Sequence, residues 1–205
     1  TSDGVYDVQA TATDAAGNTG TSSTVTYTID SQAPSTSVTV PSSDVQPTES
    51  ISVDYTLTDD VSISSATMTL TDSNGDTLQK THSGSLTTGS NTATFDLSTI
   101  SGSSAGEGSY TVTFDATDAA GNTASTVSDS GNVDGTPPSI QNAEVTGTNE
   151  VTLTFDEGVY STNSESGTLG TGDLSYNDAS SNGASGISSV THSNAGDSTV
   201  TITLS

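Results

Sequence analysis

Cysteine is absent from the 205 residues, so no disulfide staples the fold and no thiol chemistry is open to it. Tryptophan is absent too, and aromatics make up 4% of the chain, too few for the exposed platform on which a carbohydrate-binding module stacks sugars. Lys80 is the single basic residue beside two histidines, which excludes a basic surface for nucleic acid or anionic lipid. No apolar run reaches the ~18 residues of a membrane span and no signal peptide is present, so this segment is expected neither to enter nor to cross a membrane by itself. None of the eleven asparagines stands in an Asn-x-Ser/Thr acceptor register, so N-glycan shielding is not expected.

Short acids and hydroxyls are abundant instead. Nineteen Asp and six Glu give a formal net charge of −24, and Ser plus Thr exceed a third of the chain. Such charge pushes a compact state apart unless it is screened, and at 1 M salt the Debye length falls to about 3 Å. A halophilic source is the reading this suggests; the alternative is an acidic surface protein of an ordinary bacterium, neutralised by calcium.

Apolar residues alternate with Thr, Ser and Asp rather than recurring at helical spacing. Ile51, Val53, Tyr55 and Leu57 share one face; so do Ala66, Met68 and Leu70; Ala93, Phe95 and Leu97; and Tyr110, Val112, Phe114 and Ala116. These are the marks of half-buried antiparallel strands, and an apolar content of 28% suits thin sandwich cores. The predicted class is all-β: tandem Ig-like antiparallel β-sandwiches joined by short proline-containing linkers.

An internal repeat sets the division. "TDAAGNT" occurs at Thr13–Thr19 and again at Thr117–Thr123, and the same offset of 104 carries Gly4 onto Gly108, Tyr6 onto Tyr110, Asp30 onto Asp134 and Pro34 onto Pro138. One register running through about thirty residues marks two copies of one unit, too long for a solenoid coil and suited to a small sandwich. Proline in "DSQAPS" and "DGTPPS" ends strands and stiffens the joints. Residues 1–33 are then read as the last strands of a truncated Ig-like domain, 34–136 as a complete domain of roughly seven strands, and 137–205 as an Ig-like domain lacking its last strands.

The segments "DGVYDVQATATDAAGNTGTSSTVTYTIDSQAPS" and "GEGSYTVTFDATDAAGNTASTV" resemble the ends of prokaryotic Ig-like domains repeated in large adhesins and haloarchaeal surface proteins. The segments "VTLTFDEGVY", "GTLGTGDLSYNDAS" and "GISSVTHSNAGDSTVTITLS" resemble related domains of S-layer and cell-surface proteins. The resemblance implies the fold well and the function poorly, because such domains serve as spacers, adhesive modules and enzyme appendages alike.

Tyr6 and Tyr110 each open a penultimate strand, where Ig-type sandwiches keep a tyrosine whose hydroxyl bonds back to nearby backbone. In "DAAGN", Gly and Asn accept positive φ while the Asp caps backbone amides, a sufficient structural account. The functional account adds oxygen ligands for calcium, which takes about six to eight. In an Ig sandwich the B-C and F-G loops face the incoming linker, so Asp59 and Asp60, Asp118 and Asn122, and Asp30 should converge at one joint. Without a cation those carboxylates repel; with Ca2+ they become ligands that stiffen the joint. Asp134 with Asp156 and Glu157 is expected to repeat the theme further on.

No catalytic constellation is visible. His82 and His192 lack a second base or zinc spacing and are expected to be exposed strand residues, while Asp59-Asp60 and Asp156-Glu157, adjacent on strands, point apart. The chain is therefore expected to be no enzyme, and to belong to an extracellular or cell-surface structural or adhesive protein: a layer, stalk or filament. Its expected partners are neighbouring domains, copies of itself, or host and cell-surface glycans or proteins. Two alternatives are an accessory or ligand-binding module of a secreted enzyme, and a filament subunit polymerising by donor-strand complementation.

Overall fold

The computed structural model describes residues 2–81, 89–102, 105–163, 165–177, 183 and 185–205; His82 lies outside them. The chain divides into two compact units, Thr1–Gly135 and Thr136–Ser205.

The first unit opens with a long hairpin, in which β1 (Gly4–Val8) pairs with β4 (Val25–Ile29) and β2 (Thr11–Thr13) with β3 (Thr19–Thr21). A sandwich follows whose described residues form seven strands: β5 (Ser35–Thr39), β6 (Ser50–Thr58), β7 (Ile63–Thr71), β8 (Thr77–Thr81), β9 (Gly89–Asp96), β10 (Gly108–Asp118) and β11 (Val127–Val133). Its two sheets run β5-β6-β9 and β11-β10-β7-β8, all neighbours antiparallel. A short 3-10 helix of 6 residues, Leu97–Gly102, follows β9.

Alternation places the core where the sequence puts it. Ile51, Val53, Tyr55 and Leu57 of β6, Ala66, Met68 and Leu70 of β7, and Tyr110, Val112, Phe114 and Ala116 of β10 are all buried, with Phe95 and Leu97 beside them. Tyr55 meets Phe114 edge to face across the two sheets, their ring centroids 5.1 Å apart. Thr, Ser and Asp on the outer faces leave hydroxyls and carboxylates to water, so the same period that fills the core keeps the sheets soluble.

The hairpin is a register copy of the last two strands. Gly4 opposes Ile29 as Gly108 opposes Val133, and Tyr6 opposes Tyr27 as Tyr110 opposes Gly131. The two tyrosines differ in their hydroxyls. Tyr6 donates to the Ser2 carbonyl at 2.6 Å, the bond expected of this position. Tyr110 is fully buried, its ring lies where a Cβ on Gly131 would have to be, and its hydroxyl finds no partner among the described residues. Burial, and secondarily the Asp129 carboxylate, push its ionisation upward.

The second unit holds β12 (Ile140–Val145), β13 (Glu150–Phe155), β14 (Ile187–Thr191) and β15 (Thr199–Leu204) in one antiparallel sheet ordered β12-β13-β15-β14. Leu153, Val159 and Val200 are buried against it. His192 corrects the expectation of an exposed strand residue. It sits just past β14, is buried, accepts the Leu169 N–H on Nδ1 at 2.9 Å, and faces the Asp197 carbonyl with Nε2 at 3.0 Å. Both ring nitrogens thus find backbone partners, which is how the segment around Leu169 is pinned to the sheet and why the side chain turns inward.

Candidate metal centre

The "DAAGN" turns are built by local chemistry. Asp14 Oδ1 accepts the N–H groups of Ala16 at 2.9 Å and Asn18 at 2.8 Å, and Asp118 Oδ1 accepts that of Asn122 at 2.8 Å. The Asn side chains return a bond to Oδ2, at 2.9 Å in the first copy and 2.7 Å in the second. Gly17 and Gly121 carry φ of 91° and 96°, the left-handed geometry that closes the turn and that glycine adopts freely. A third turn of the same build joins β7 to β8. Asp72 Oδ1 accepts from Asn74 and Asp76, and its Oδ2 takes the Gly106 N–H at 2.8 Å. Burial pulls Asp72 upward, but four backbone donors outweigh it and hold the carboxyl below its ordinary value.

Around the second copy the acids gather. Asp118 ends β10 on the inward-facing alternation of Tyr110, Val112, Phe114 and Ala116, so it closes the mouth of the core and is 1% exposed. Asp59 and Asp60 follow β6, and Asp30 follows β4. Ligand-capable oxygens of Asp30, Asp59 and Asp118 lie within 4.8 Å of one another, and those of Asp3, Asp30 and Asp60 form an adjoining group that shares Asp30. The hairpin thus supplies Asp3 and Asp30, while the sandwich supplies Asp59, Asp60 and Asp118. A cleft lined by Gln32, Ala33, Ser35, Thr58, Asp59 and Asp60 opens beside them.

Protein donors engage some oxygens and leave others bare. Asp59 Oδ2 accepts from Ser62 N–H at 2.9 Å, Asp30 Oδ1 from Gln32 N–H at 3.1 Å, and Asp60 Oδ2 from the Gln32 side chain at 3.2 Å. Asp30 Oδ2 and Asp59 Oδ1 are buried and have no partner among the described residues. Asn122 turns its amide nitrogen to this cluster, donating to Asp118 and, at 3.2 Å, to the Asp30 carbonyl. It therefore orients the joint rather than offering a ligand oxygen there.

The charges respond accordingly. Burial raises Asp30 above the ordinary carboxylate range, and Asp118, Asp60 and Asp59 raise it further. Asp118 is pulled up by burial, yet the bonds from the Asn122 side chain and backbone, Gly121 and Ala120 outweigh that and hold it below. Asp30 is the strained member of the group.

Asp3 escaped the sequence reading. Its Oδ1 accepts the N–H of Ser31 at 3.1 Å and the hydroxyl at 2.8 Å, and 104 residues on, Glu107 accepts the N–H of Gly135 at 2.9 Å. The repeat offset was the signal, since an acid before the strand ties the residue after the linker Asp in both copies. Asp156 is satisfied within its own unit. Its carboxylate accepts the Ser139 hydroxyl and, at 2.7 Å, the Ser139 N–H, and these bonds, the hydroxyl's first, hold it below its ordinary value.

Residues 42–120 match the FlgD Ig-like domain family and residues 1–31 a bacterial Ig-like domain family. With the sandwich and its register-matched hairpin, these matches define the architecture: antiparallel Ig-like β-sandwich units joined in sequence, a class not associated with catalysis. Among solved structures, one described as "Crystal structure of tetra-tandem repeat in extending region of large adhesion protein" is similar at 27% identity and a TM-score of 0.42. That similarity covers 76% of this chain and 40% of the other, so the match spans less than half of that chain. No curated protein matches the chain.

Proposed function

We propose that this chain is a stretch of an extracellular, cell-surface structural or adhesive protein, whose Ig-like units hold a stalk, layer or filament in extension and whose joint is braced by calcium. In this reading residues 1–33 close one Ig-like unit, 34–136 form the next, and 137–205 begin another. The observation that carries the calcium reading is the convergence of Asp3 and Asp30 with Asp59, Asp60 and Asp118, two of whose oxygens are buried without a partner among the described residues. An all-oxygen, carboxylate-rich donor set suits a hard cation, and the several carboxylates on separate segments suit the flexible coordination of calcium better than the strict octahedron of magnesium. Bound there, the ion would offset the burial, and the lesser repulsion from Asp118, Asp60 and Asp59, that raise Asp30, and would lock the hairpin to the sandwich.

Concentrated salt is the medium the −24 charge favours, because screening relieves the same repulsion without a specific site. Calorimetric titration of the full chain with Ca2+, in NaCl held constant, separates the two. The expected result is a saturable heat that Asp59→Ala/Asp60→Ala abolishes and that Mg2+ does not reproduce. Unchanged heat and affinity in the double variant would sink the calcium site, and stabilisation by NaCl alone would leave screening as the whole effect.

A further inference from the structure

In the sandwich the first and last segments are tied side by side. Val45, beyond β5, forms a parallel bridge with Val133 at the end of β11. Its N–H donates to the Asn132 carbonyl at 3.1 Å, and the Asp134 N–H donates to its carbonyl at 2.9 Å. Five residues earlier the Val40 N–H donates to Asp129 Oδ2 at 3.0 Å. Residues 40 to 45 therefore run in the same direction as residues 129 to 133. Val40, Val45 and Val133 are buried, so water does not stand ready to take over these bonds.

Direction decides how such a seam carries load. Tension through the flanking linkers draws residues 40 to 45 towards the N-terminus and β11 towards the C-terminus. In parallel segments those pulls oppose each other along one axis, so the ties are loaded together in shear. A hairpin pulled at its open ends breaks one bond at a time instead. Glu107 adds a strap at the exit, where it holds the Gly135 N–H.

We propose that this seam is a mechanical clamp: resistance of the sandwich to stretching is set by the ties between residues 40–45 and 129–134 rather than by its apolar core. The proposal deepens the reading of the chain as an extended spacer, since only a chain held at both ends feels such a load.

The test is constant-force unfolding of the full chain held by its termini, with the sandwich event identified by a released contour of about 350 Å for residues 35–133 less the span of the folded sandwich. Val45→Pro removes the donor to Asn132, and Asp129→Ala removes the tie to Val40. Unfolding under load should quicken about 10- to 100-fold in the first and about 10-fold in the second, as the loss of one or two shielded hydrogen bonds predicts. Unloaded unfolding in urea should quicken far less. Met68→Ala, in the core, should change loaded and unloaded rates by the same factor. If Asp129→Ala also changes both rates equally, the clamp is overturned, and this variant decides the matter should Val45→Pro fail to fold. A clamp confirmed in a chain without calcium heat would remove the brace and leave the clamp standing.

Discussion

The two copies of "TDAAGNT" have one sequence and one hydrogen-bond pattern but two environments. Asp14 and Asp118 each hold the N–H four residues on at 2.8 Å, yet Asp14 is exposed and Asp118 is buried against Asp30 and Asp59. The turn is thus a product of local chemistry, and its placement in a carboxylate cluster is a product of what docks on it. Asp14 is lowered first by its Asn18 side-chain bond, whereas Asp118 must overcome burial to be lowered at all.

The largest contrast between the copies should lie in the tyrosines. Tyr110→Ala empties a fully buried site and should cost about 3–5 kcal/mol, the range of large aromatic deletions, while Tyr6→Ala, on the partly exposed hairpin, should cost under about 1 kcal/mol. Urea unfolding followed by fluorescence or circular dichroism reads both. Phenylalanine reverses the order. Tyr6→Phe loses the bond to the Ser2 carbonyl, whereas Tyr110→Phe discards a hydroxyl without a partner among the described residues and should be neutral or stabilising. Equal costs in the two copies would mean that the hairpin is packed as tightly as the sandwich.

A smaller contrast is expected from Asp30→Asn. The folded-state value of Asp30 is raised, so the acid favours folding only while protonated, and that contribution disappears as pH rises from the ordinary carboxylate value, about 3.9, through the raised one. Without divalent cation, Asp30→Asn should therefore raise the thermal midpoint at pH 7 and leave it unchanged below about pH 4. Asp118 has the opposite sign: its lowered value gives stability above the ordinary range that is lost as pH falls through the folded one. Added Ca2+ should reverse the benefit of Asp30→Asn, because the variant loses a ligand. A midpoint that drops at pH 7 in its absence would mean that Asp30 is held by attraction rather than crowding.

Much of this was legible in the sequence. Alternation located the core strands β6, β7, β9 and β10 of the sandwich, because a period of two with Thr on the wet face leaves little else to bury. The loop topology of an Ig sandwich puts Asp30, Asp59, Asp60 and Asp118 at one joint, and in the structure Asp30 lies with Asp59 and Asp118 in one group and with Asp60 in the adjoining one. One more step of the alternation that ends at Ala116 would also have placed Asp118 facing inward. The orphan hydroxyl of Tyr110 and the inward His192 were not legible, since each depends on contacts far along the chain. The parallel seam at Val45 was hidden for another reason: a single bridge leaves no periodicity to read.

The smallest contrast concerns the glycines that close the two turns. Gly17 and Gly121 both have φ above +90°, and a Cβ on either would meet nothing within 4 Å. Alanine at either position therefore meets conformational strain alone, about 1–2 kcal/mol for a left-handed residue. That strain is a property of the turn and should not depend on what lies beyond it. Exchange of the Asn18 and Asn122 amides, each held by its turn Asp, should quicken by a common factor of about 5–30 in Gly17→Ala and Gly121→Ala. A much larger factor at Asn122 would show that the cluster around Asp118 imposes the turn rather than receives it.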